Sequence, residues 1–284
     1  MKVAKVFAPA KVNLTLHVTG QRADGYHLLD SLVMFADIGD RLTLHTAEAN
    51  SLQVTGPMAH GVPTGPDNLA MRAAQLFDQP VAITLSKHLP MAAGIGGGSS
   101  DAAAVALGLA DLTGSRDLPE GLGALGADIR VCLTRRAARM QGVGELVRPL
   151  PNLGELHAVL ANPGVSVATP DVFKALKNKQ NPPMPSRIPE NRKTGKPENR
   201  FSGKLIEWIA AQRNDLEPPA CALTPEIAVT LDALRALPDA ALVRMSGSGA
   251  TCFALFHSRD EAQNAASLLA VQKPDWWVSP VTLT

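Results

Sequence analysis

The chain has 284 residues, of which 45% are apolar, and its 27 Lys and Arg nearly balance its 26 Asp and Glu, for a net charge of +1. This length and apolar content predict a globular protein with a substantial core, in one large domain or two lobes. The balanced charge removes any whole-chain argument for nucleic acid or a membrane surface as a partner, because such proteins usually carry a basic excess. The uncharged run 102–110 is far shorter than the roughly 20 residues of a membrane helix, so no span is predicted.

The N-terminal segment and the cysteines bear on the cellular compartment. Lys5 and Lys11 interrupt the N-terminal apolar residues too early for a secretory signal, so we expect a cytoplasmic protein. Cys132, Cys221 and Cys252 form no CxxC pair, and their odd number disfavours a disulfide framework. Each is expected to be a buried, small hydrophobic residue.

Short strand-like segments dominate the first third of the chain. Over residues 12–18, apolar residues alternate with Asn13, Thr15 and His17, which is the period of a half-buried strand whose polar face can serve a site. Further strands are predicted at 31–35, 41–45, 52–55 and 81–85, and helical spacing of apolar residues begins at Leu69. These elements predict a mostly antiparallel sheet in a lobe of mixed helix and strand.

The boundary between two lobes is placed near residue 150, which gives an N-terminal lobe of residues 1–150 and a C-terminal lobe of residues 151–284. In the second lobe a strand is predicted at 157–161. Thr169 with Pro170, and Thr224 with Pro225, each indicate an N-cap followed by proline at the first helical position. The fold class is therefore α+β.

A basic, proline-rich stretch lies in the second lobe. Residues 174–204 contain nine basic and two acidic residues with five prolines. Such a composition favours a mobile, solvated surface loop, because it buries too little apolar area to order itself. Steering of an anionic ligand is the alternative interpretation.

The glycine tract PMAAGIGGGSS at residues 90–100 is the sharpest signal in the sequence. It opens directly into an Ala-rich and Leu-rich helical segment, so its backbone N–H groups and the helix dipole are suited to a phosphate. One of Ser99 and Ser100 is expected to cap the helix, and the other to offer a hydroxyl to phosphate or Mg²⁺. A flexible turn is the alternative. The tract lacks the Lys of a Walker A loop and the last Gly of a Rossmann fingerprint, which indicates a nucleotide loop of another kind.

Three further places have the composition of a reactive site. In MSGSGATC, at residues 245–252, Gly247 and Gly249 would bring backbone against a ligand or against the first loop, although a tight hairpin explains the segment nearly as well. Lys11 and Asn13 point to one side of the first strand. Asp128, in LGADIRV, follows a small-residue turn before a strand-like stretch, where a helix cap or turn role is the more ordinary one. Phosphoryl transfer to an alcohol needs a phosphate cradle, Mg²⁺, a positive charge and a carboxylate, and the chain contains candidates for each.

Three motifs resemble those of the GHMP small-molecule kinases and occur in the same order: PAKVNL at residues 9–14, PMAAGIGGGSSDAA at 90–103 and MSGSGATCF at 245–253. The resemblance implies a two-lobe fold with an N-terminal ATP-binding lobe and a C-terminal substrate-binding lobe. GQRADGYH, LGAD and NPGVSVATPDVF further resemble the members whose acceptor is a cytidine-diphosphate-linked alcohol. The implied reaction is ATP-dependent phosphorylation of the 2-hydroxyl of the cytidylated methylerythritol in the non-mevalonate route to isoprenoids.

The resemblance also assigns roles to individual residues. Asp128 would accept the hydroxyl proton and Lys11 would assist it. ATP-binding residues would be Asn68, Lys87, Pro90, Met91, Ala92, Ala93, Gly94, Ile95, Gly96, Gly97, Gly98, Ser99 and Ser100, with Gly247, Ser248 and Gly249 forming the third motif. Substrate-binding residues would be Asn13, Tyr26, His27, Thr169 and Phe173, with Tyr26 and Phe173 sandwiching the cytosine. ATP and Mg²⁺ are the expected co-substrate and metal, with no protein metal ligand assigned.

Alternatives remain open at this level. Arg130 stands two residues after Asp128, where the family usually has Pro, which places an extra charge near the carboxylate. The runner-up is another kinase of the superfamily, acting on homoserine or mevalonate, and a third possibility is a catalytically impaired nucleotide-binding protein. The expected partner is a small molecule with a cytidine diphosphate group, without nucleic acid or membrane, and the expected state is a monomer or weak homodimer.

Overall fold

The computed structural model describes residues 2–150, 153–189 and 198–284, and the side chains of 198–202 are outside the description. The strands are β1 Val3–Asn13, β2 His17–Gln21, β3 His27–Thr46, β4 Ser51–Thr55, β5 Val81–Ser86, β6 Ala138–Gly142, β7 Leu146–Pro149, β8 Leu156–Asn162, β9 Leu242–Met245, β10 Cys252–Phe256 and β11 Trp277–Leu283. The helices are α1 Leu69–Ala74, α2 Gly97–Thr113, α3 Ile129–Thr134, α4 Thr169–Lys174, α5 Glu198–Ala210, α6 Glu217–Leu223, α7 Pro225–Arg235 and α8 Arg259–Gln272, with a 3₁₀ turn at Glu120–Ala124. No helix within these ranges is long and apolar enough to cross a membrane.

The chain divides into two compact units that interleave along the sequence. Unit 1 contains Met1–Lys11, Ile38–Met91 and Gly96–Arg135, and unit 2 contains Val12–Asp37, Ala92–Ile95 and Arg136–Thr284. The lobe boundary near residue 150 stays a prediction. The units follow a different partition, because two segments from the first half of the chain group with the C-terminal half.

Unit 1 packs helices on a small sheet. β5 pairs antiparallel with the second half of β3 and parallel with β4. The alternating residues Val81, Ile83 and Leu85 are fully or almost fully buried on the core face. α2 lies on this core along its Ala-rich length, and Gly108 permits the close approach, since a Cβ there would lie 2.8 Å from Val6 Cγ2. The position of α2 is therefore set by packing along the whole helix.

Unit 2 is built on a larger antiparallel arrangement. β10 pairs with β8 and β9, and β11 pairs with β8. Helices α6, α7 and α8 cover one apolar core with these strands. α8 begins with a capping box, in which Ser258 Oγ accepts from the Glu261 N–H and the Glu261 carboxylate accepts from the Ser258 N–H. The predicted strand at 157–161 is confirmed. The mostly antiparallel pairing predicted for the first part of the chain is also confirmed, because β2, β5 and β6 each pair antiparallel with β3.

Several local predictions differ from the structure. Residues 12–18 do not form one strand: β1 ends at Asn13 and β2 begins at His17. Asn13, Thr15 and His17 are buried rather than lining an open face. Their burial is compensated by hydrogen bonds, for example from the Leu32 N–H to Thr15 Oγ1 at 2.9 Å. The segments 31–35 and 41–45 are parts of the single long strand β3.

The predicted helix positions agree more closely with the structure than the predicted strand at 12–18 does. Helices begin at Thr169 and Pro225 as expected, but the N-cap of α4 is Ala168 rather than Thr169. The stretch after Asp128 is helix α3, not a strand. Its apolar residues Ile129, Val131 and Cys132 are buried, which short helical and strand segments achieve equally well.

The basic, proline-rich stretch is anchored where the structure describes it, so the expectation of a mobile, solvated loop is wrong for 181–188. Met184 and Ile188 are buried. The Met184 N–H donates to Asp30 Oδ2 at 3.0 Å, and Arg139 donates to the carbonyls of Met184 and Pro185. The part of the prediction that falls on 190–197 lies outside the described residues.

Candidate active site

The N-terminus of α2 presents free backbone donors in unit 1. Gly96 is the N-cap and adopts φ +65°, a left-handed conformation that favours glycine. The N–H groups of Gly97, Gly98 and Ser99 have no intrahelical acceptor at this end of a helix. Neither serine caps the helix, contrary to expectation: Ser100 is buried and its hydroxyl donates to the Pro9 carbonyl at 2.7 Å. Ser99, half-buried, is the serine left near the helix entrance.

Lys11 lies against this helix N-terminus and contacts Asp128. A Cβ on Gly96 would be 3.2 Å from Lys11 Cε, so glycine at this position permits the close approach. The buried Lys11 Nζ donates to Asp128 Oδ2 at 2.8 Å, whereas the Asp128 side chain is 29% exposed. Asp128 occupies the N-cap position of α3, but its side chain makes no capping hydrogen bond. Its carboxylate is therefore both paired and accessible.

The turn before Asp128 also reaches the start of α2. A Cβ on Gly126 would lie 3.7 Å from Ser99 Oγ. Arg130 is exposed, and its guanidinium lies over Gly123 of the 3₁₀ turn, where a Cβ would be 2.8 Å from Arg130 Nε. The extra charge after Asp128 is thus directed onto a local backbone turn.

The other two nucleotide candidates outside the loop already have partners. Asn68 is the N-cap of α1: its Oδ1 accepts from the Ala70 N–H at 2.8 Å, and its Nδ2 donates to the Pro63 carbonyl at 2.7 Å. Lys87 is buried beneath the glycine loop, and its Nζ pairs with Asp101 Oδ2 at 2.8 Å and with Asp40 Oδ2. A Cβ on Gly97 would lie 3.3 Å from Lys87 Nζ.

Residues 92–95 of the loop belong to unit 2, where they pack against the third glycine motif. The Thr251 N–H donates to the Ala93 carbonyl at 3.1 Å, and Ser246 Oγ donates to the Gly94 carbonyl at 3.0 Å. A Cβ on Gly94 would overlap the backbone of Ser246 and Gly249. The segment 246–251 also connects the antiparallel pair β9 and β10, so the hairpin interpretation and contact with the first loop both hold.

Asn13, in unit 2, has one oriented and one open polar atom. Its Nδ2 donates to Ser31 Oγ at 2.8 Å, and Ser31 Oγ donates to the Thr15 carbonyl at 2.5 Å. The hydroxyl of Ser31 therefore accepts from Asn13 Nδ2, and this hydrogen bond fixes the orientation of the Asn13 side-chain amide. Asn13 Oδ1 is buried and has no partner among the residues described. An acceptor held in this way suits a donor on a ligand.

Two ring-bearing substrate candidates of unit 2 stack on each other. His27, rather than Tyr26, stacks on Phe173, with ring centroids 4.8 Å apart and an interplanar angle of 23°. Tyr26 is 65% exposed. Burial, followed by the charge of Lys179, lowers the pKa of His27, which favours the neutral ring at physiological pH.

Thr169 lies beside the third motif: its Oγ1 is 2.7 Å from Ser248 Oγ, and either hydroxyl can donate. The α4 helix thus brings the Thr169 and Ser248 hydroxyls together.

Family profiles define the class of protein that this arrangement belongs to. The GHMP kinases N terminal domain profile matches residues 68–135, which contain the loop and Asp128, and the GHMP kinases C terminal profile matches residues 202–270. The protein is an enzyme of the GHMP kinase class, for which ATP is the co-substrate.

Individual relatives narrow this class. The chain is 56% identical over 278 residues to the 4-diphosphocytidyl-2-C-methyl-D-erythritol kinase of Dinoroseobacter shibae, covering 98% of this chain and 94% of the relative. It is 55% identical over 285 residues to the protein of that name in Cereibacter sphaeroides, covering 99% of both. A crystal structure of 4-(cytidine 5'-diphospho)-2C-methyl-D-erythritol kinase is 35% identical, with a TM-score of 0.79 over 99% of each chain. The chain belongs to the 4-diphosphocytidyl-2-C-methyl-D-erythritol kinase family.

Sequence reasoning missed four residues that support the site: Asp40, Asp101, Ser31 and Ser246. Asp101 follows the serine pair directly and Asp40 follows Gly39, but an isolated carboxylate gives no periodic signal of burial. Ser31 and Ser246 act through single hydrogen bonds to residues distant in the chain. No pattern within the sequence connects them to Asn13 or to Gly94.

Proposed function

We propose that this protein transfers the γ-phosphoryl group of ATP to the 2-hydroxyl of 4-diphosphocytidyl-2-C-methyl-D-erythritol. The names of the relatives indicate the acceptor. The observation that carries the chemistry is the Lys11–Asp128 pair beside the N-terminus of α2. Within one compact unit, this arrangement combines a phosphate cradle, a cation and an accessible carboxylate.

The nucleotide phosphates would bind to the glycine loop 90–100. Support comes from the free N–H groups at the start of α2 and from the positive end of its dipole, both of which favour an anion. Asn68 and Lys87 would act near the nucleotide by shaping its surroundings, because their polar atoms bond to protein groups.

Asp128 would accept the proton of the attacking hydroxyl. A general base must be reachable by its substrate, and the partial exposure of Asp128 meets this condition. Lys11 would hold the carboxylate in place before attack through the hydrogen bond from its Nζ to Asp128 Oδ2. As phosphate arrives at Gly96–Ser99, the same ammonium would lie close to the charge that develops on the transferred group.

Mg²⁺ would bind together with the nucleotide. In the described part of the chain no group of three or more His, Cys, Asp or Glu side chains is arranged to hold a metal. Mg²⁺ in kinases commonly takes phosphate oxygens, waters and one or two protein oxygens. Ser99 Oγ, near the turn that precedes Asp128, is the hydroxyl suited to this, and the ion would neutralise phosphate charge.

The acceptor would be recognised by unit 2. The His27–Phe173 stack offers a flat face to a cytosine, and base–aromatic stacking contributes about 1–3 kcal/mol. Tyr26 is exposed and would contact the base from the solvent side. Asn13 Oδ1 would accept a hydrogen bond from the sugar alcohol, and Thr169 would lie nearer the diphosphate.

The competing kinases are not favoured. A homoserine kinase structure from Cytophaga hutchinsonii is 20% identical with a TM-score of 0.67, and this likeness shows a common fold alone. The monomeric or weakly dimeric state and the cytoplasmic location stay predictions.

The direct test is a coupled assay with purified protein, ATP, Mg²⁺ and one acceptor at a time. We expect ADP release with the cytidylated alcohol, and phosphorus NMR should place the new phosphate on the 2-hydroxyl. Homoserine and mevalonate serve as controls. Turnover of either control at a higher kcat/KM than the cytidylated alcohol would overturn the acceptor assignment while leaving the kinase class intact.

A further inference from the structure

A buried three-residue cluster lies beneath the glycine loop. Lys87 Nζ donates to Asp101 Oδ2 at 2.8 Å and to Asp40 Oδ2, and all three residues are at most 3% exposed. Two carboxyl groups share one ammonium, so full ionisation would leave one uncompensated charge in the interior. Asp101 Oδ1 also lacks a hydrogen-bond partner within the described ranges. Such an arrangement costs free energy, which a merely apolar packing would avoid.

Asp40 fixes the start of the loop. Its Oδ1 accepts from the backbone N–H groups of His88 at 2.6 Å and Leu89 at 2.9 Å, immediately before Pro90. Asp40 itself follows Gly39, where a Cβ would overlap the backbone of Ala8. The carboxylate is thus held within the tightly packed strand β3 and accepts hydrogen bonds from the chain that enters the loop.

Asp101 fixes the end of the loop. It lies in the first turns of α2, four residues after Gly97, and its carboxylate reaches Lys87 across the loop. Gly97 is the first residue of α2, and a Cβ on it would point at Lys87 Nζ at 3.3 Å. Lys87 therefore joins the chain entering the loop to the helix that leaves it.

We propose that Asp40, Lys87 and Asp101 are positioning residues for ATP: they fasten the two ends of the 90–100 loop together and thereby set the phosphate-binding N–H groups at Gly97–Ser99. The inference rests on the proposed function for its ligand. The side chains lie too deep for the nucleotide to touch, so any effect on ATP must pass through the loop.

The first test is Asp101→Ala, which removes the link between Lys87 and α2. We expect the KM for ATP to rise about tenfold or more while kcat falls less. Asp101→Asn keeps an oxygen that accepts from Lys87, and it should recover most of the ATP affinity. Affinity for CDP, measured by calorimetry, should stay within twofold of wild type, because the proposed base-binding residues belong to unit 2.

Two results would overturn the proposal. One is a folded Asp101→Ala protein with the ATP affinity of wild type. The other is an equal loss of ATP and CDP affinity, which indicates general destabilisation instead of loop positioning. Asp232→Asn, in an exposed ion pair on α7, is the control for removing a carboxylate.

Gly97→Ala decides the matter if Asp101→Ala does not fold. Its Cβ would press on Lys87 from above, so the ATP KM should rise severalfold, and an unchanged value would contradict the proposal. Gly98→Ala is the matched comparison, because its Cβ would meet only Leu69 Cδ1 at 3.5 Å. The Gly97 effect must exceed the Gly98 effect. The affinity for ATP is also measured by calorimetry without acceptor, where the same losses are expected, so a wrong acceptor assignment leaves this test valid. Wild-type protein that binds no ATP would instead refute the proposed function itself.

Discussion

Two ion pairs of this protein have similar chemistry and different surroundings. Asp30 accepts from Arg139 Nε at 2.7 Å and Nη2 at 2.5 Å, and it also accepts from the Met184 N–H. Asp128 accepts from Lys11 Nζ through one oxygen and keeps 29% of its side chain exposed. Both oxygens of Asp30 accept hydrogen bonds from protein groups, whereas Asp128 keeps lone pairs available for a ligand. The difference separates a carboxylate that maintains structure from one that can accept a substrate proton.

The largest expected effect is on stability, from Arg139→Met. The change leaves the buried Asp30 carboxylate without its cation and frees the carbonyls of Met184 and Pro185. We expect the free energy of unfolding to fall by about 3–5 kcal/mol, as for other broken buried pairs. Denaturant melts measure it, and limited proteolysis should cut more readily within 181–188.

Arg235→Met is the control for Arg139→Met. It breaks the exposed pair with Asp232 and should cost no more than about 1 kcal/mol. If the two variants lowered the free energy of unfolding equally, the Asp30–Arg139 pair would stabilise the protein no more than an exposed pair does. The contrast with Asp128 would then be lost.

Asp128→Asn should change activity where Arg139→Met changes stability. We expect kcat to fall by two or more orders of magnitude, equivalent to about 2.7 kcal/mol, because the amide cannot accept the hydroxyl proton. The ATP affinity and the melting temperature should remain near wild type. Steady-state kinetics and thermal melts are compared with Asp117→Asn, an exposed carboxylate of unit 1. A kcat within threefold of wild type would exclude Asp128 as the base.

The Asp40–Lys87–Asp101 cluster differs from both pairs. It is buried, like Asp30 and Arg139, but it has two carboxyl groups for one ammonium. Burial raises the pKa of Asp101 to about 7, with Lys87 opposing the shift and Asp40 adding to it. Burial disfavours the Lys87 ammonium, but Asp101 and Asp40 outweigh it and raise the pKa of Lys87.

This shift predicts a pH dependence of stability. The folded state keeps the Asp101 proton up to about pH 7, whereas an unfolded Asp loses it near pH 4. The stabilisation of the folded state by Asp101 is thus fully present below about pH 4. It declines as the pH rises, by at most about 1.4 kcal/mol per pH unit, and the decline ends above the folded pKa.

Denaturant melts of wild type and Asp101→Asn at pH 5, 6, 7 and 8 measure the difference. We expect wild type to lose stability relative to the variant between pH 5 and 7, with little further change at pH 8. A constant difference across the series would mean that Asp101 is ionised throughout and would contradict the raised pKa.

The contrast also explains what the sequence could predict. The glycine loop, Lys11 and Asp128 could be predicted as site candidates because each lies in a short contiguous motif that resembles those of the GHMP kinases. Strand and helix positions followed from periodicity where one face is buried, as at Val81, Ile83 and Leu85. The prediction of one strand with an open polar face over residues 12–18 was wrong, because Asn13, Thr15 and His17 are buried polar groups whose partners are distant in sequence. Composition likewise misjudged 181–188, because its order depends on hydrogen bonds with Asp30 and Arg139, which are distant in the sequence.

The smallest expected effect concerns Ser31, which extends the contrast to the acceptor side. Ser31→Ala removes the acceptor for Asn13 Nδ2, so the amide is free to turn and Asn13 Oδ1 is no longer held towards a ligand donor. We expect the KM for the cytidylated alcohol to rise about fivefold, or about 1 kcal/mol, with the ATP KM unchanged, because one neutral hydrogen bond is lost. Ser31→Thr keeps the hydroxyl and should restore the KM, and Ser267→Ala, at an exposed position on α8, controls for loss of a hydroxyl alone. If Ser31→Ala raised the ATP KM as much as the acceptor KM, the orientation of Asn13 would not be a property of acceptor binding.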